Sequence, residues 1–255
     1  MSKIMHEAAF KELGLNHTYG LYDVQEADLK LFMEDADFKG LNITIPLKTA
    51  AVQYMDELSK EAVIIGSINT VEFADDKLIG YNTDVLGFMK CLQEADVDVK
   101  NKNFLILGAG GAGRGIVFKL AMEHHRVYSY DTDSEKSSKL CKDVLQKVGV
   151  KVEQAQDISD IIGNVDILVN ATPVGMHPNI EKTPLVSKYL SPAITVVDIV
   201  YNPVETRLLR QARERGCDTV SGIGMLVHQG AEALKIWLDV EPPIEVMKKA
   251  VLRKL

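Results

Sequence analysis

Lys48 and Asp84 are the residues best suited to do chemistry in this sequence of 255 residues. A lysine lowered in pKa by burial is a workable acid or base, and a carboxylate beside it can orient it. They lie in two of three short polar motifs that close apolar segments. These are Asn42-Ile43-Thr44-Ile45-Pro46-Leu47-Lys48, Ile65-Gly66-Ser67-Ile68-Asn69-Thr70 and Tyr81-Asn82-Thr83-Asp84. Together they offer amides and hydroxyls for a polyol, one ammonium and one carboxylate. Singly they are ordinary: Lys48 also reads as a solvated side chain near a helix start. Asp84 reads equally as the N-cap of a helix beginning at Val85.

A second constellation is Phe104-Leu105-Ile106-Leu107 followed by Gly108-Ala109-Gly110-Gly111-Ala112-Gly113-Arg114. Gly108 permits a tight turn, Gly110 lets backbone approach a pyrophosphate, and Gly113 allows close packing of helix on strand. The helix N-terminus supplies free N–H groups and positive partial charge for phosphates. The next apolar stretch, Val127–Tyr130, ends in Asp131. A carboxylate there accepts from both hydroxyls of an adenosine ribose and repels a 2′-phosphate. With Asp133 and Glu135 adding negative charge, the expected cofactor is NAD rather than NADP. An exposed turn residue is the competing reading of Asp131.

Stepping outward, the first third reads as mixed α and β. Helices are expected at His6–Leu13, Ala27–Met33 and Lys48–Leu58, and strands at Tyr19–Val24 and Leu41–Ile45. Ile68–Phe73 and Lys77–Tyr81 form a hairpin across Ala74-Asp75-Asp76. From Phe104 on, apolar strands (Phe104–Leu107, Val127–Tyr130, Ile167–Asn170, Val196–Ile199) alternate with helices (Gly113–His124, Glu135–Val148, Val204–Arg215). That pattern indicates a parallel sheet covered on both faces. Two terminal helices, Met225–Leu238 and Ile244–Lys254, are expected to rejoin the first domain. The expected fold is therefore α/β in two domains. Residues 1–84 with 222–255 form a substrate domain, 85–221 a Rossmann-type dinucleotide domain, and a ligand cleft lies between them.

Composition narrows the partners. A formal charge of −7 argues against affinity for nucleic acid or anionic membranes, and no apolar run approaches a membrane span. The N-terminus lacks a secretory signal, so a cytoplasmic protein is expected, as monomer or homodimer. Cys91, Cys141 and Cys217 form no metal or redox motif and read as inert thiols; no metal site is expected.

Taken in order, these motifs resemble the shikimate dehydrogenase family. The resemblance also rests on Asn170-Ala171-Thr172-Pro173-x-Gly175-Met176, Tyr201-Asn202-Pro203 and Gly224-Met225-Leu226-Val227-x-Gln229, and it spans nearly the whole chain. It implies reversible hydride transfer between a nicotinamide cofactor and a ring hydroxyl of shikimate or quinate. Lys48 and Asp84 become the catalytic pair. Asn69, Thr44 and Gln229 bind ring hydroxyls, and Tyr201 and Ser2 lie towards the substrate carboxylate. Thr172, Val200, Gly222 and Met225 line the cofactor track beside Gly108, Gly110, Gly111, Ala112 and Gly113. Core packing remains the other reading of Tyr201 and Met225, and a surface amide that of Gln229.

Two departures from the family pattern stand out. Where the NADP-binding pattern has Asn-Arg-Thr and a further Arg, this chain has Tyr130-Asp131-Thr132 and Glu135. That resembles the NAD-using quinate/shikimate branch. At the start, Ser2 aligns with the second serine of a Ser-x-Ser pair, and the first serine and its strand have no counterpart. The expectation is a truncated form of a longer protein that binds NADH normally and substrate poorly. The competing function is a non-catalytic NAD-binding module of the same fold.

Overall fold

The structure is a computed structural model that describes residues 1–34 and 38–255. By its internal contacts the chain divides into two units, Met1–Phe88 with Leu226–Lys254, and Met89–Met225 with Leu255.

In the first unit, α1 (Ser2–Glu12) buries Met5, His6, Ala9 and Phe10 and packs against α9 (Ile244–Leu252). After α2 (Leu29–Glu34) comes a four-stranded sheet in the order β1-β3-β4-β2. Its strands are β1 (Gly40–Asn42), β2 (Glu57–Leu58), β3 (Thr70–Ala74) and β4 (Lys77–Tyr81). The β3–β4 hairpin turns through Asp75 and Asp76, at φ of +50° and +59°. Aspartate tolerates that left-handed region, and two such residues suit the twist of flanking strands. Trp237 lies across Gly40 and donates from Nε1 to the Val71 carbonyl at 2.9 Å. A Cβ on Gly40 would stand 2.0 Å from Nε1, so the strand needs glycine there.

Three expectations fail in this unit. Residues 19–24 form no strand. They and the outer edge of β1 instead line a cavity of about 950 Å³. Leu41–Ile45 shortens to β1, because the chain turns at Ile45. Lys48–Leu58 is not one helix: only Ala50–Tyr54 makes a 3₁₀ turn. Asp56 then breaks the run, its N–H donating to the Leu78 carbonyl and its carboxylate accepting from the Leu78 N–H, which draws Glu57–Leu58 onto β4. The unforeseen helix α3 (Lys60–Ile65) has plain end signals. Ser59 accepts from the Ala62 N–H at its start, and Gly66 is left-handed at its end.

The second unit begins within α4 (Asp84–Glu94) and ends within α8 (Ile223–Leu238). Its sheet is wholly parallel, in the order β10-β9-β8-β5-β6-β7. The strands are β5 (Asn103–Leu107), β6 (Arg126–Tyr130), β7 (Glu153–Gln154), β8 (Ile167–Asn170), β9 (Thr195–Asp198) and β10 (Thr219–Ser221). Helices α5 (Gly111–Met122), α6 (Ser134–Val148) and α7 (Arg207–Glu214) follow β5, β6 and β9. The order reverses between β5 and β8, and ligands of such sheets bind at the carboxyl ends of strands beside that reversal. Leu105, Leu107, Leu168 and Val196 are fully buried, which is why these strands read as unbroken apolar runs. The edge strands β7 and β10 escape the sequence pattern because two or three residues show no periodicity. No helix among the described residues is long and apolar enough to cross a membrane.

Candidate active site

Asp84 opens α4, at the end of the strand-and-turn that brings Tyr81-Asn82-Thr83 back beside Asn69. Lys48 stands in the turn after β1. Its Nζ donates to Asp84 Oδ2 at 2.6 Å, and the two side chains are 13% and 8% exposed. Such a pair is held close and largely shielded from solvent.

Asn69 locks the carboxylate from the other side. Its Nδ2 donates to Asp84 Oδ1 at 2.9 Å and lies 3.0 Å from Thr83 Oγ1 and 3.2 Å from Gln229 Oε1. Three acceptors compete for two protons. Asn69 therefore stays satisfied by Thr83 and Asp84 if Gln229, anchored through Nε2 to the Leu226 carbonyl, turns its oxygen to a ligand. Asn69 Oδ1 in turn accepts from the Thr83 N–H at 2.7 Å and from Thr70 Oγ1 at 3.2 Å. Lys48, Asn69, Asp84 and Gln229 are thus brought together from four separate stretches of chain.

Thr44 and Ser2 are not hydrogen-bonded to that cluster; both line the 950 Å³ cavity, with Thr44 exposed and Ser2 half-buried. Three residues without an assigned role extend the network. Thr83 holds Asn69 as described. Asn42 donates from Nδ2 to Thr70 Oγ1 at 3.3 Å and accepts from the Tyr19 hydroxyl at 2.8 Å. Thr83 and Asn42 stand in the quoted motifs, but Tyr19 carries no local signal.

In the second unit Gly108, Asp131, Thr172, Val200 and Gly222 all follow carboxyl ends of parallel strands. Gly108 has φ of +101°, and a Cβ on Gly113 would lie 1.9 Å from the Gly108 carbonyl oxygen. Around Gly110, by contrast, a Cβ would meet nothing within 4 Å, so that face of the loop is open. Gly110 caps α5 without a side-chain partner, so no capping side chain occupies the free N–H groups of the helix's first turn. This cradle fits a pyrophosphate. A Cβ on Gly222 would lie 2.2 Å from the Ile199 carbonyl, so β10 leaves the sheet against the backbone before Val200. Val200 and Met225 are buried, and Tyr201 and Thr172 half-buried.

Asp131 behaves differently from the expectation. Its Oδ2 accepts from the Ala109 N–H at 2.7 Å and its Oδ1 from the Asp133 N–H at 2.9 Å. Each oxygen thus already closes the turn with one backbone N–H.

The comparisons bear directly on this site. Residues 1–71 match the shikimate dehydrogenase substrate binding domain, 90–208 match shikimate / quinate 5-dehydrogenase, and 222–252 match the shikimate 5′-dehydrogenase C-terminal domain. The chain belongs to the shikimate dehydrogenase family. It is 43% identical over 261 residues to a shikimate dehydrogenase (NADP(+)) of Methanocaldococcus jannaschii, covering 100% of this chain and 92% of that one. A solved shikimate dehydrogenase in complex with NADP+ superposes with a TM-score of 0.94 at 41% identity, covering 99% of this chain and 90% of that one. The Thermus thermophilus shikimate 5-dehydrogenase in complex with NADP(H) and shikimate gives 0.89 at 33%, covering 100% and 94%.

These relatives overturn the expected preference for NAD. They are named for, or hold, NADP, so a carboxylate at Asp131, whose two oxygens each accept a backbone N–H, does not decide the cofactor.

Proposed function

We propose that this chain is an NADP-dependent shikimate dehydrogenase, an oxidoreductase acting on a ring hydroxyl. The observation that carries the reading is the Lys48–Asp84 pair at 2.6 Å, framed by Asn69 and Gln229. Lys48, as the neutral amine, takes the proton of the reacting hydroxyl during oxidation, and as the ammonium returns it during reduction. Asp84 holds Nζ in place, and Asn69 holds Asp84. Thr44, Asn69 and Gln229 bind ring hydroxyls, while Ser2 and Tyr201 supply hydroxyls towards the substrate carboxylate.

NADP, when bound, supplies the acceptor of the hydride. The Gly108–Gly113 loop and the α5 N-terminus hold its pyrophosphate, and Thr172, Val200, Gly222 and Met225 line the rest of its path. Its 2′-phosphate falls to the β6–α6 turn, where Thr132 and Ser134 are exposed and Lys136, 3.3 Å from Asp133, can exchange that carboxylate for the phosphate. An intact acid–base pair weighs against a module that binds dinucleotide without turnover.

The test is initial rates with shikimate and with quinate, each with NADP and NAD. Shikimate with NADP should give the highest kcat/KM, at least about tenfold above shikimate with NAD, a difference of roughly 1.4 kcal/mol. Binding of NADPH without turnover of either polyol would reject the enzymatic reading.

A further inference from the structure

Two polar side chains sit fully buried at the carboxyl ends of neighbouring strands in the parallel sheet of the second unit. They are Asn170, the last residue of β8, and Asp198, the last of β9, neighbours in register and both 0% exposed. A buried carboxylate is costly unless donors surround it, and Asp198 has three. Its Oδ1 accepts from Asn170 Nδ2 at 2.9 Å and from the Val200 N–H at 3.0 Å, and its Oδ2 from the Thr206 hydroxyl at 2.6 Å. Burial nevertheless pushes its pKa up to about 6.

The chain of bonds continues outward. With Nδ2 committed to Asp198, Asn170 turns Oδ1 to the Thr172 N–H at 3.0 Å and the Thr172 hydroxyl at 2.7 Å. Thr172 Oγ1 in turn accepts from the Val174 N–H at 3.2 Å, and its Cγ2 lies 2.9 Å from where a Gly108 Cβ would be. One carboxylate therefore orients both loops that leave β8 and β9, and through the first it reaches the glycine turn after β5.

We propose that Asp198 is a positioning residue for cofactor binding, setting Thr172 through Asn170 and Val200 directly. The inference rests on the assignment of Thr172 and Val200 to the cofactor path. Asp198 itself touches no ligand and acts only through these neighbours.

The experiment measures the NADPH dissociation constant of full-length wild type, Asp198→Ala and Asp198→Asn, together with melting temperature and shikimate KM at saturating cofactor. Asp198→Ala should weaken NADPH binding by at least about tenfold, the usual worth of a hydrogen bond to a charged group. Shikimate KM should change less than about twofold, because that substrate's residues are set by the Asn69 network. Asp198→Asn should restore NADPH binding to within about threefold of wild type, since its oxygen accepts from Asn170 and Val200 and its amide donates to Thr206. A lower melting temperature with unchanged NADPH affinity in Asp198→Ala overturns the proposal. If Asp198→Ala does not fold, Thr206→Val removes one donor to Asp198, and with it the acceptor of the Leu209 N–H that caps α7, at nearly constant volume. It should raise the dissociation constant about threefold, at the low end for one hydrogen bond, and an unchanged value overturns the proposal. Wild type that binds no NADPH rejects the proposed function instead, so the two failures are distinguishable.

Discussion

Asn69 holds the Lys48–Asp84 pair in register although it carries no charge. Its amide fixes one oxygen of Asp84, and the other oxygen fixes Lys48. Removing the lysine should therefore remove the proton relay without dissolving the rest of the network. Lys48→Ala is expected to lower kcat by roughly 10²–10⁴-fold, the usual worth of a positioned acid or base. NADPH affinity should stay within about twofold, since one hydrogen bond's worth of change would be larger; titration by cofactor fluorescence measures it. A Lys48→Ala enzyme that keeps more than half its kcat would take Lys48 out of the mechanism. Lys48, Asn69 and Asp84 stand in polar motifs visible in the sequence, but each is ordinary alone, and only the family resemblance of the motifs taken in order joined them. Tyr19 was not legible, because its bond to Asn42 joins residues 23 apart through a segment with no periodic pattern. Asp131 misled for a related reason. Its position after β6 is visible in the sequence, but the backbone N–H groups that occupy its oxygens are not.

At the scale of elements, the glycine turn shows how little room the loop after β5 has. A methyl group on Gly113 would sit 1.9 Å from the Gly108 carbonyl oxygen, so α5 must shift away from β5 to admit it. Gly113→Ala should cost about 1–3 kcal/mol in stability, as overpacking usually does. It should also weaken NADPH more than it affects shikimate. Gly110→Ala is the matched control, because its Cβ meets nothing within 4 Å. Its stability should change by less than about 1 kcal/mol, the range of ordinary glycine-to-alanine effects, as read from urea unfolding. Equal losses in both variants would mean that the loop is not packed as described. The parallel strands and their helices were readable here because burial on both faces leaves a continuous apolar signature. In the first unit that signature fails. The stretch 48–58 has a helical distribution of apolar residues, yet Asp56 commits its backbone and carboxylate to Leu78 and pulls the chain into a strand. Long-range pairing of this kind overrides local preference.

Across the whole molecule, two buried ionisable groups make the units respond oppositely to acid. His6 in the first unit is fully buried, stacks on Tyr19 at 4.7 Å, and has neither ring nitrogen in hydrogen-bond geometry. Burial lowers its pKa to about 4, against a weaker opposing influence of the nearby Asn42 side chain. The unfolded chain then binds the proton more tightly, so the His6 contribution is fully present above about pH 6.5 and is lost as pH falls towards 4. The loss is on the order of 3 kcal/mol. Asp198 in the second unit has its pKa raised to about 6, so its contribution is greatest below about pH 4 and declines as pH rises through 6. Hydrogen exchange compared at pH 6.5 and 4.5 should accordingly show protection falling in the first unit relative to the second. In His6→Leu the decline in the first unit should flatten. If wild type and His6→Leu lose protection in parallel, His6 is not held neutral in the folded protein.

Trp237 lies across Gly40 and bonds to Val71, and it is the sole tryptophan in the chain. Indole emission, excited at the red edge where tyrosine does not absorb, is therefore a private signal of the first unit. Reduced nicotinamide emits at longer wavelength and, if bound as proposed, reports on the second. One cuvette can thus follow the two halves of the protein in separate colours. Urea added to the NADPH complex should quench or shift the indole band at one concentration and release the nicotinamide band at its own. Coincident transitions would mean that the units unfold as one cooperative body; separated ones would give each unit its own free energy.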